Sequence, residues 1–311
     1  MKKTFIALMT IAALAACNKA EVIETAKGDA ITFGEAFVDN ATKADYSAGM
    51  NLTAFQVWGT VTGNNNTVNL YNGANVTGKV GDAVWSCDQT EYWVPSCSYS
   101  FIAIADATSV TAPDNNKNMP TEIGYTVAAS KDLLIATATA TTDENATPNP
   151  AGPVSFTFNH LLSKVLFSFE YGVEKNTKYA FNITDVTISG LTEKGKYTVN
   201  NGKWAADGST TTSLSFGAGS ANVTSSADAA SAASHQILPL TQTLTVTVTY
   251  DIIYNGVTIM KGETQTGTLT QEFAKATVYS INVKMPAPGA AIEFKVTSVG
   301  GFSDGSTIPL Q

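Results

Sequence analysis

The sequence of 311 residues contains no arginine, so all 18 of its cationic side chains are lysines. Acidic residues outnumber them at 26, which gives a formal net charge of −8 at pH 7. A nucleic-acid-binding protein needs a basic surface that neutralises phosphates, and two-point recognition of phosphate or carboxylate favours the planar guanidinium of arginine. The composition therefore argues against nucleic acid as a partner.

Residues that carry catalysis or bind metals are also few. The two histidines, His160 and His235, have no closely spaced cysteines or carboxylates that would complete a zinc site. The sequence lacks a Gly-x-Ser-x-Gly elbow, a Walker A loop and a dinucleotide fingerprint. Asp29, Asp39 and Asp45 could bind calcium, but their spacing is not that of an EF-hand and favours solvated surface acids. We expect no catalytic residue, no cofactor and no metal.

Residues 1–17 have the pattern of a bacterial export signal that ends in a lipid-attachment site. Two lysines precede an apolar run that is too short for a permanent membrane span, which needs about 20 residues. The run ends in Leu14-Ala15-Ala16-Cys17, which resembles a lipobox. We predict cleavage between Ala16 and Cys17 and acylation of Cys17, so that outer-membrane lipid is a partner and residues 18–29 form a tether. The alternative is an ordinary secretory signal with an incidental cysteine.

The other two cysteines, Cys87 and Cys97, leave two possibilities open. In an exported chain they could form a disulfide across the polar segment between them. They could equally be two buried, reduced thiols. In both cases their role is structural.

Two-residue periodicity recurs along the chain, whereas no long segment has helical periodicity. In the cleanest strand pattern, threonines alternate with Leu244, Val246, Val248 and Tyr250. The segment 141–153, rich in proline and polar residues, is the best domain boundary. We therefore predict an all-β protein with two β-sandwich domains in tandem, at residues 30–150 and 151–311.

Turn signals and biased composition add three local predictions. Asn255-Gly256 separates two strand-like segments and predicts a hairpin, and we interpret Asn201-Gly202 and Asn72-Gly73 in the same way. Residues 207–234, rich in Ser, Ala, Thr and Gly, predict a long surface loop with one short strand. We predict that the four tryptophans lie in the core and do not form an exposed sugar-binding platform.

The order of several segments resembles that of the fimbrillin family, the subunits of type V pili of gut and oral anaerobes. Those segments are Ile31-Thr32-Phe33, Asn40-Ala41-Thr42-Lys43-Ala44, Phe55-Gln56-Val57-Trp58-Gly59, Tyr92-Trp93-Val94-Pro95, Asp132-Leu133-Leu134-Ile135-Ala136, residues 154–165 and Thr277-Val278-Tyr279-Ser280-Ile281. The resemblance implies transthyretin-like sandwiches, export as an outer-membrane lipoprotein, and a place in a surface fimbria. It also implies that other pilus subunits are partners through β-strand addition.

The resemblance also implies two functional segments. In polymerising members a protease removes the first strand after an arginine, and in this chain Lys43 stands at that point, followed by Ala44. A lysine-tolerant protease would be needed, and without it the chain stays tethered as an anchor or accessory subunit. Near the C terminus, residues 291–299 could be a donor strand with Ile292, Phe294 and Val296 filling pockets, or an ordinary last strand. A glycan-binding surface lipoprotein is the alternative function, and the surface ligand in either case is not identified by the sequence.

Overall fold

Strands make up all the regular secondary structure of the described residues, and no helix occurs among them. The computed structural model describes residues 28–38, 52–79, 81–113, 119–127, 131–173, 178–231, 233–287 and 290–301. The all-β prediction is confirmed. No helix in these ranges is long and apolar enough to cross a membrane.

Twenty-one strands are numbered here in chain order. The first ten are β1 Phe33–Val38, β2 Ala54–Gly63, β3 Asn66–Thr77, β4 Ser86–Cys87, β5 Ser98–Ala105, β6 Ser109–Thr111, β7 Glu122–Thr126, β8 Leu134–Thr142, β9 Pro148–Asn149 and β10 Val154–His160. The others are β11 Ser163–Tyr171, β12 Tyr179–Thr192, β13 Lys194–Thr198, β14 Lys203–Ala206, β15 Thr211–Ser215, β16 Ala229–Ala230, β17 His235–Ile237, β18 Thr241–Tyr254, β19 Val257–Glu272, β20 Thr277–Met285 and β21 Glu293–Gly301.

The first sheet has eight strands in the order β1-β10-β8-β5-β2-β3-β4, with β9 paired to β8. Strand β1 runs parallel to β10, while the other pairs are antiparallel. A β-bridge between Phe33 and Trp85, the residue before β4, joins the two ends of this order. The sheet therefore closes around a core built largely from the inward side chains of its own strands.

Strand β10 lies beyond the predicted domain boundary at residue 150, yet it pairs within the first sheet. Its inward residues Phe156 and Phe158 are fully buried in the first core. The segment 141–153 instead contains the end of β8, the turn to β9 and the approach to β10. Leu161 and Leu162 then connect β10, the last strand of the first sheet, to β11, the first strand of the second half. The division into two tandem domains stays a prediction.

The second half forms a β-sandwich around its own core. One sheet has the order β16-β11-β20-β21 with β17 also on β11, and the other has the order β15-β12-β18-β19. Strand β18 alternates as its sequence predicts, because Leu244, Val246 and Val248 are fully buried and the threonines between them face outward. Its long pairing with β19 ends in the hairpin turn predicted at Asn255-Gly256, where both residues have positive φ.

A fourth, smaller sheet joins the two halves. Its order is β14-β13-β7-β6, so that β7 from the first half pairs with β13 from the second. Leu133, Leu161, Leu162 and Leu238 are buried beneath it in a separate apolar cluster. The packing between the halves is therefore apolar.

The hairpin predicted at Asn72-Gly73 is wrong. Gly73 has a φ of +79° and lies inside β3, where the pairing skips from Val57–Ala74 to Trp58–Asn72. The motif therefore makes a β-bulge, which uses the same left-handed freedom of glycine as a hairpin turn. The turn between β2 and β3 is instead formed by Asn64 and Asn65, both with positive φ.

The long surface loop predicted for residues 207–234 is wrong in part. It contains two strands, β15 and β16, and Phe216, Val223 and Ala229 have no exposed surface and lie in the second core. Small and polar residues dominate the composition of this segment, so three anchoring apolar residues gave too weak a periodic signal to predict its burial.

Candidate functional site

Strand β1 and the residues before it lie in a groove with backbone partners on both sides. On one side β1 pairs in parallel with β10, and the Val154 amide donates to the Thr32 carbonyl at 2.7 Å. On the other side, residues 85–93 run antiparallel to it. Here the Trp85 amide donates to the Phe33 carbonyl at 2.8 Å, and the Ile31 amide donates to the Glu91 carbonyl at 2.8 Å. The chain segment therefore completes a sheet that would otherwise be open at this position.

The side chains of this segment fill the first core. Ile31, Phe33, Ala36 and Val38 are all buried, and a register shift between Phe33 and Ala36 keeps them facing inward. The Phe33 ring lies 5.4 to 6.5 Å, centre to centre, from four aromatic rings, those of Phe55, Tyr71, Phe101 and Phe156. Such ring pairs contribute beyond the area they bury. Phe33 is therefore the main anchor of the strand.

Tryptophan packing closes the flank of the groove. Trp85 lies against Gly78, where an added Cβ would come within 2.3 Å of the indole ring. Trp93 contacts the chain at Gly28, where a Cβ would lie 2.2 Å from the Trp93 carbonyl oxygen. A Cβ would collide with the Trp85 ring at Gly78 and with the Trp93 backbone at Gly28, so glycine is required at both positions for the close approach.

The tryptophans form no exposed platform. Trp58, Trp85 and Trp93 are buried, and the half-buried Trp204 donates from Nε1 to the Leu161 carbonyl at 2.9 Å. Core positions for the tryptophans, the favoured prediction, are confirmed for these three. This removes the feature that would have supported glycan binding.

Of the predicted donor residues, Phe294 and Val296 lie on the last described strand of the second sandwich, and Ile292 lies just before it. Strand β21 is an edge strand that pairs antiparallel with β20, and Ile292, Phe294 and Val296 pack half-buried against the second core. Phe294 covers Gly267 of β19, where a Cβ would lie 2.1 Å from the phenyl ring. Within this chain the segment therefore forms an edge strand of the second sandwich, and a donor role toward another subunit stays a prediction.

Replacing Gly267 with alanine is expected to loosen β21 without disturbing the rest of the sandwich. The new methyl group would occupy the space of the Phe294 ring, and overpacking of this kind costs about 1–3 kcal/mol. Hydrogen–deuterium exchange of the β21 amides should become faster, with little change in β11. Thr268→Ala, at the next and outward-facing position, is the matched control, and equal exchange in both variants would contradict this packing.

Cys87 and Cys97 are free thiols, each half-buried against the first core. Cys87 pairs with Val76, which lies opposite Phe55 at the start of β2, whereas Cys97 lies beside Gly63 at its end. Eight residues of strand separate these positions by about 25 Å. A disulfide needs Cα atoms about 4.4–6.8 Å apart, so in this fold the two residues take the reduced alternative.

Both thiols are expected to react slowly in the native protein. Burial raises the pKa of Cys87 and of Cys97 above the ordinary value for a thiol, which lowers the reactive thiolate fraction near neutral pH and delays its rise as pH increases. Alkylation followed by mass spectrometry should modify both after unfolding without reductant. The Cys97→Ser variant should lose one of these additions, and a chain that gains none without reductant would contradict the free thiols.

The histidines are in structural positions. His160, at the end of β10, forms a buried hydrogen bond through Nδ1 with the carboxylate of Asp132. His235 donates from Nε2 to the Ser215 carbonyl at 2.7 Å and packs against Phe216. The structural role predicted for His160 fits this contact, but its partner is 28 residues away and carries no sequence signal.

No described group of residues has the form of a metal site. Among the residues that the structure describes, no three His, Cys, Asp or Glu side chains cluster to hold a metal ion. One shallow pocket of about 300 Å³ contains Asp106 and Lys131, which pair with each other at 3.2 Å, and neither histidine lines it. The predicted processing residues Ala16, Cys17, Lys43 and Ala44 lie outside the described residues.

The sequence and the fold both match one known family. A fimbrillin-like family model matches residues 40–299, which is most of the chain. The chain belongs to the fimbrillin-like family. Membership places it among structural, fimbrial and adhesion-type proteins of the cell surface, as the resemblance implied.

Solved structures similar to this fimbrillin-like chain have the same fold at low sequence identity. A fimbrial protein from Bacteroides vulgatus has a TM-score of 0.58 at 18% identity, and the match covers 86% of this chain and 99% of the other. A candidate cell adhesion protein from Bacteroides uniformis has a TM-score of 0.52 at 16% identity, covering 88% and 99% of the two chains. No curated protein matches the chain.

Proposed function

We propose that this fimbrillin-like chain is a non-enzymatic, lipid-anchored outer-membrane subunit of a surface fimbria, and that it joins its neighbours by β-strand addition. The observation that carries the proposal is the seating of β1, which is a short strand held by a parallel partner, a bridging flank and one aromatic anchor. Strand addition uses main-chain hydrogen bonds for affinity and alternate side-chain pockets for register. The β1 groove offers both.

The position of Lys43 supports a strand that can be removed. It lies in the connection between β1 and β2, so a cut after Lys43 separates β1, together with Cys17, from the rest of the chain. After such a cut β1 is held by non-covalent contacts alone. Its departure would expose apolar pockets and the unpaired backbone of β10 and of residues 85–93, which favours capture of another strand.

The C-terminal strand carries the sequence that would fit the vacated groove. The segment at β1 is Ala30-Ile31-Thr32-Phe33, and the segment leading into β21 is Ala291-Ile292-Glu293-Phe294. Inserted in the same register, Ile292 would replace Ile31 and Phe294 would replace Phe33 among the aromatic rings. This shared Ala-Ile-x-Phe order supports residues 291–299 of a second subunit as the donor segment.

Mass spectrometry of the N terminus tests the anchoring part of the proposal. In material from native outer membranes, we expect an acylated Cys17 on the uncleaved chain. A free Ala44 in addition would identify a subunit whose first strand has been removed. An N terminus that is neither, in particular an unmodified residue within 1–16, would refute lipid anchoring.

Peptide binding tests the strand-addition part. A specific protease site in place of Lys43 would allow β1 to be removed, and a peptide of residues 290–299 should then bind the groove. Phe294→Ser in the peptide should weaken binding at least about tenfold, because one anchoring aromatic carries much of such an interface. Lys295→Ser, at the neighbouring outward position, is the control. Equal binding of the Phe294→Ser peptide would rule out this register.

A further inference from the structure

The start of the predicted donor segment lies beyond the backbone pairing of β21. Strand β21 pairs with β20 from Glu293, opposite Lys284, to Gly301, opposite Thr277. Residues 290–292, called the donor end here, precede this ladder. Contacts other than the β20 ladder therefore hold the donor end against the sandwich.

One side-chain amide holds the donor end. Gln265, on the edge strand β19 of the facing sheet, donates from Nε2 to the Ala290 carbonyl at 2.6 Å and accepts the Ile292 amide on Oε1 at 2.8 Å. Its partner on β18 is the inward-facing Val248, so Gln265 also faces the interior of the sandwich. There it hydrogen-bonds the hydroxyl of the buried Tyr250, which helps to orient the amide.

In the β1 groove, backbone groups of the flank make the corresponding contacts. The Trp93 amide donates to the Asp29 carbonyl at 3.1 Å, and the Ile31 amide donates to the Glu91 carbonyl at 2.8 Å. A carbonyl and an amide two residues apart on one strand are thus bonded to the same neighbouring strand, as in antiparallel pairing.

Gln265 therefore reproduces the flank with a single side chain. In the register that aligns Ile292 with Ile31, Ala290 aligns with Asp29. The carbonyl of the first residue and the amide of the third are bonded in both places. The side-chain amide of glutamine carries both a donor and an acceptor, as a peptide group does. The contacts of the donor end within its own subunit are thus equivalent to those that the flank of a second subunit offers.

We propose that Gln265 is a latch that holds the donor end in its own subunit and competes for it with the groove of the next subunit. The inference rests on the proposed strand addition and adds to it a positioning residue that controls the rate of exchange. The Ile292 amide has one hydrogen to donate, so its bond to Gln265 must break before it can pair with a second flank. Because the donor end lies outside the β20 ladder, it detaches first, and exchange then proceeds along β21.

The rate of strand capture tests this latch. The acceptor is the chain from residue 18 with a specific protease site in place of Lys43, cleaved, freed of β1, and carrying Phe294→Ser to make it a poor donor. The donors are fluorescently labelled, uncleaved chains, either the parent or Gln265→Leu, which keeps a similar size without the amide. Anisotropy should show capture of Gln265→Leu at least about fivefold faster, as expected for the loss of hydrogen bonds of ordinary net strength.

Gln271→Leu is the matched control. Gln271 lies on the same strand and the same face as Gln265, but its Nε2 donates to the carbonyl of the neighbouring Glu272 at 2.6 Å. Capture of this variant should be as slow as that of the parent. Equal capture rates for Gln265→Leu and the parent, or an equal acceleration in Gln271→Leu, would overturn the inference.

Hydrogen exchange separates a latch from a general contribution to stability. In uncleaved Gln265→Leu, the Ile292 amide should exchange at least about fivefold faster, since it loses its hydrogen-bond acceptor. The amides of β21 that pair with β20 should exchange at the parent's rate. Faster exchange along the whole of β21 would overturn the inference, because Gln265 would then support the entire strand.

The free peptide of residues 290–299 distinguishes failure of the latch from failure of strand addition. The peptide has no contact with Gln265, so it should bind the acceptor faster than the parent chain does. If the peptide binds while the parent and Gln265→Leu are captured at equal rates, strand addition stands and the latch is overturned. If neither the peptide nor any donor chain binds, strand addition itself is overturned, and the latch with it.

Discussion

Replacing Phe33 with alanine should lower the free energy of unfolding by about 3–5 kcal/mol and release β1 from its groove. The side chain has no exposed surface and contacts four aromatic rings, so its loss removes both buried area and ring contacts and leaves a cavity. Chemical denaturation followed by tryptophan fluorescence measures this loss. Hydrogen exchange should also become faster at the amides of β10 that face β1.

Thr32→Ala is the matched control for this prediction. Thr32 directly precedes β1 and is half-exposed, so its loss should cost less than about 1 kcal/mol. If the two variants lost similar stability, Phe33 would not be the anchor of β1. A weakly anchored β1 would leave the groove without a cut. The proposed role of cleavage in releasing this strand would then need another explanation.

The seating of β1 and the packing of β21 suggest how one chain could be stable alone and still accept a partner strand. Each strand fills its own site with an Ile-x-Phe pair, at Ile31 and Phe33 in one and at Ile292 and Phe294 in the other. In the uncleaved chain both sites are occupied, because β10 is paired with β1 and β20 is paired with β21. Removal of β1 would leave its groove empty. How readily a second subunit fills that groove would depend on the free energy needed to detach its half-buried β21 segment from β20.

Local strand patterns could be predicted from the sequence because their side chains alternate between a buried and an exposed face. This holds for β18 and β10, and for the hairpin at Asn255-Gly256. The Asn72-Gly73 motif shows the limit of such signals. Positive φ is required by a bulge inside β3 as much as by a hairpin turn, and the residues alone do not distinguish them.

Contacts between distant segments could not be predicted in the same way. The parallel pairing of β1 with β10 joins residues about 120 positions apart, and β7 pairs with β13 across the two halves. Neither pairing is fixed by a short turn between the two strands, so no local sequence pattern predicts it. Residues 85–93 pair with the β1 segment only through short and irregular strands, and their role beside β1 follows from Gly78 and Gly28, where close packing of Trp85 and Trp93 leaves no room for a Cβ.

The buried pair of His160 and Asp132 should be the other large contributor to stability. Their side chains are 3% and 1% exposed, and they lie beside Leu133 and Leu161, where the first sheet meets the apolar cluster under the fourth sheet. Replacing Asp132 with alanine removes the hydrogen-bond partner of a buried imidazole. Breaking a buried pair from one side costs about 3–5 kcal/mol, so we expect a loss of that size in chemical denaturation.

The neighbouring Lys131 provides the control for the Asp132 variant. Lys131 pairs with Asp106 at 3.2 Å on the surface, where both side chains are well exposed and water screens their charges. Lys131→Ala should therefore cost no more than about 1 kcal/mol. A similar loss of stability in both variants would mean that the cost of Asp132→Ala does not come from its contact with His160. The double variant Asp132→Ala with His160→Leu decides this, because removing both polar groups should recover part of the stability only if the pair is what was broken.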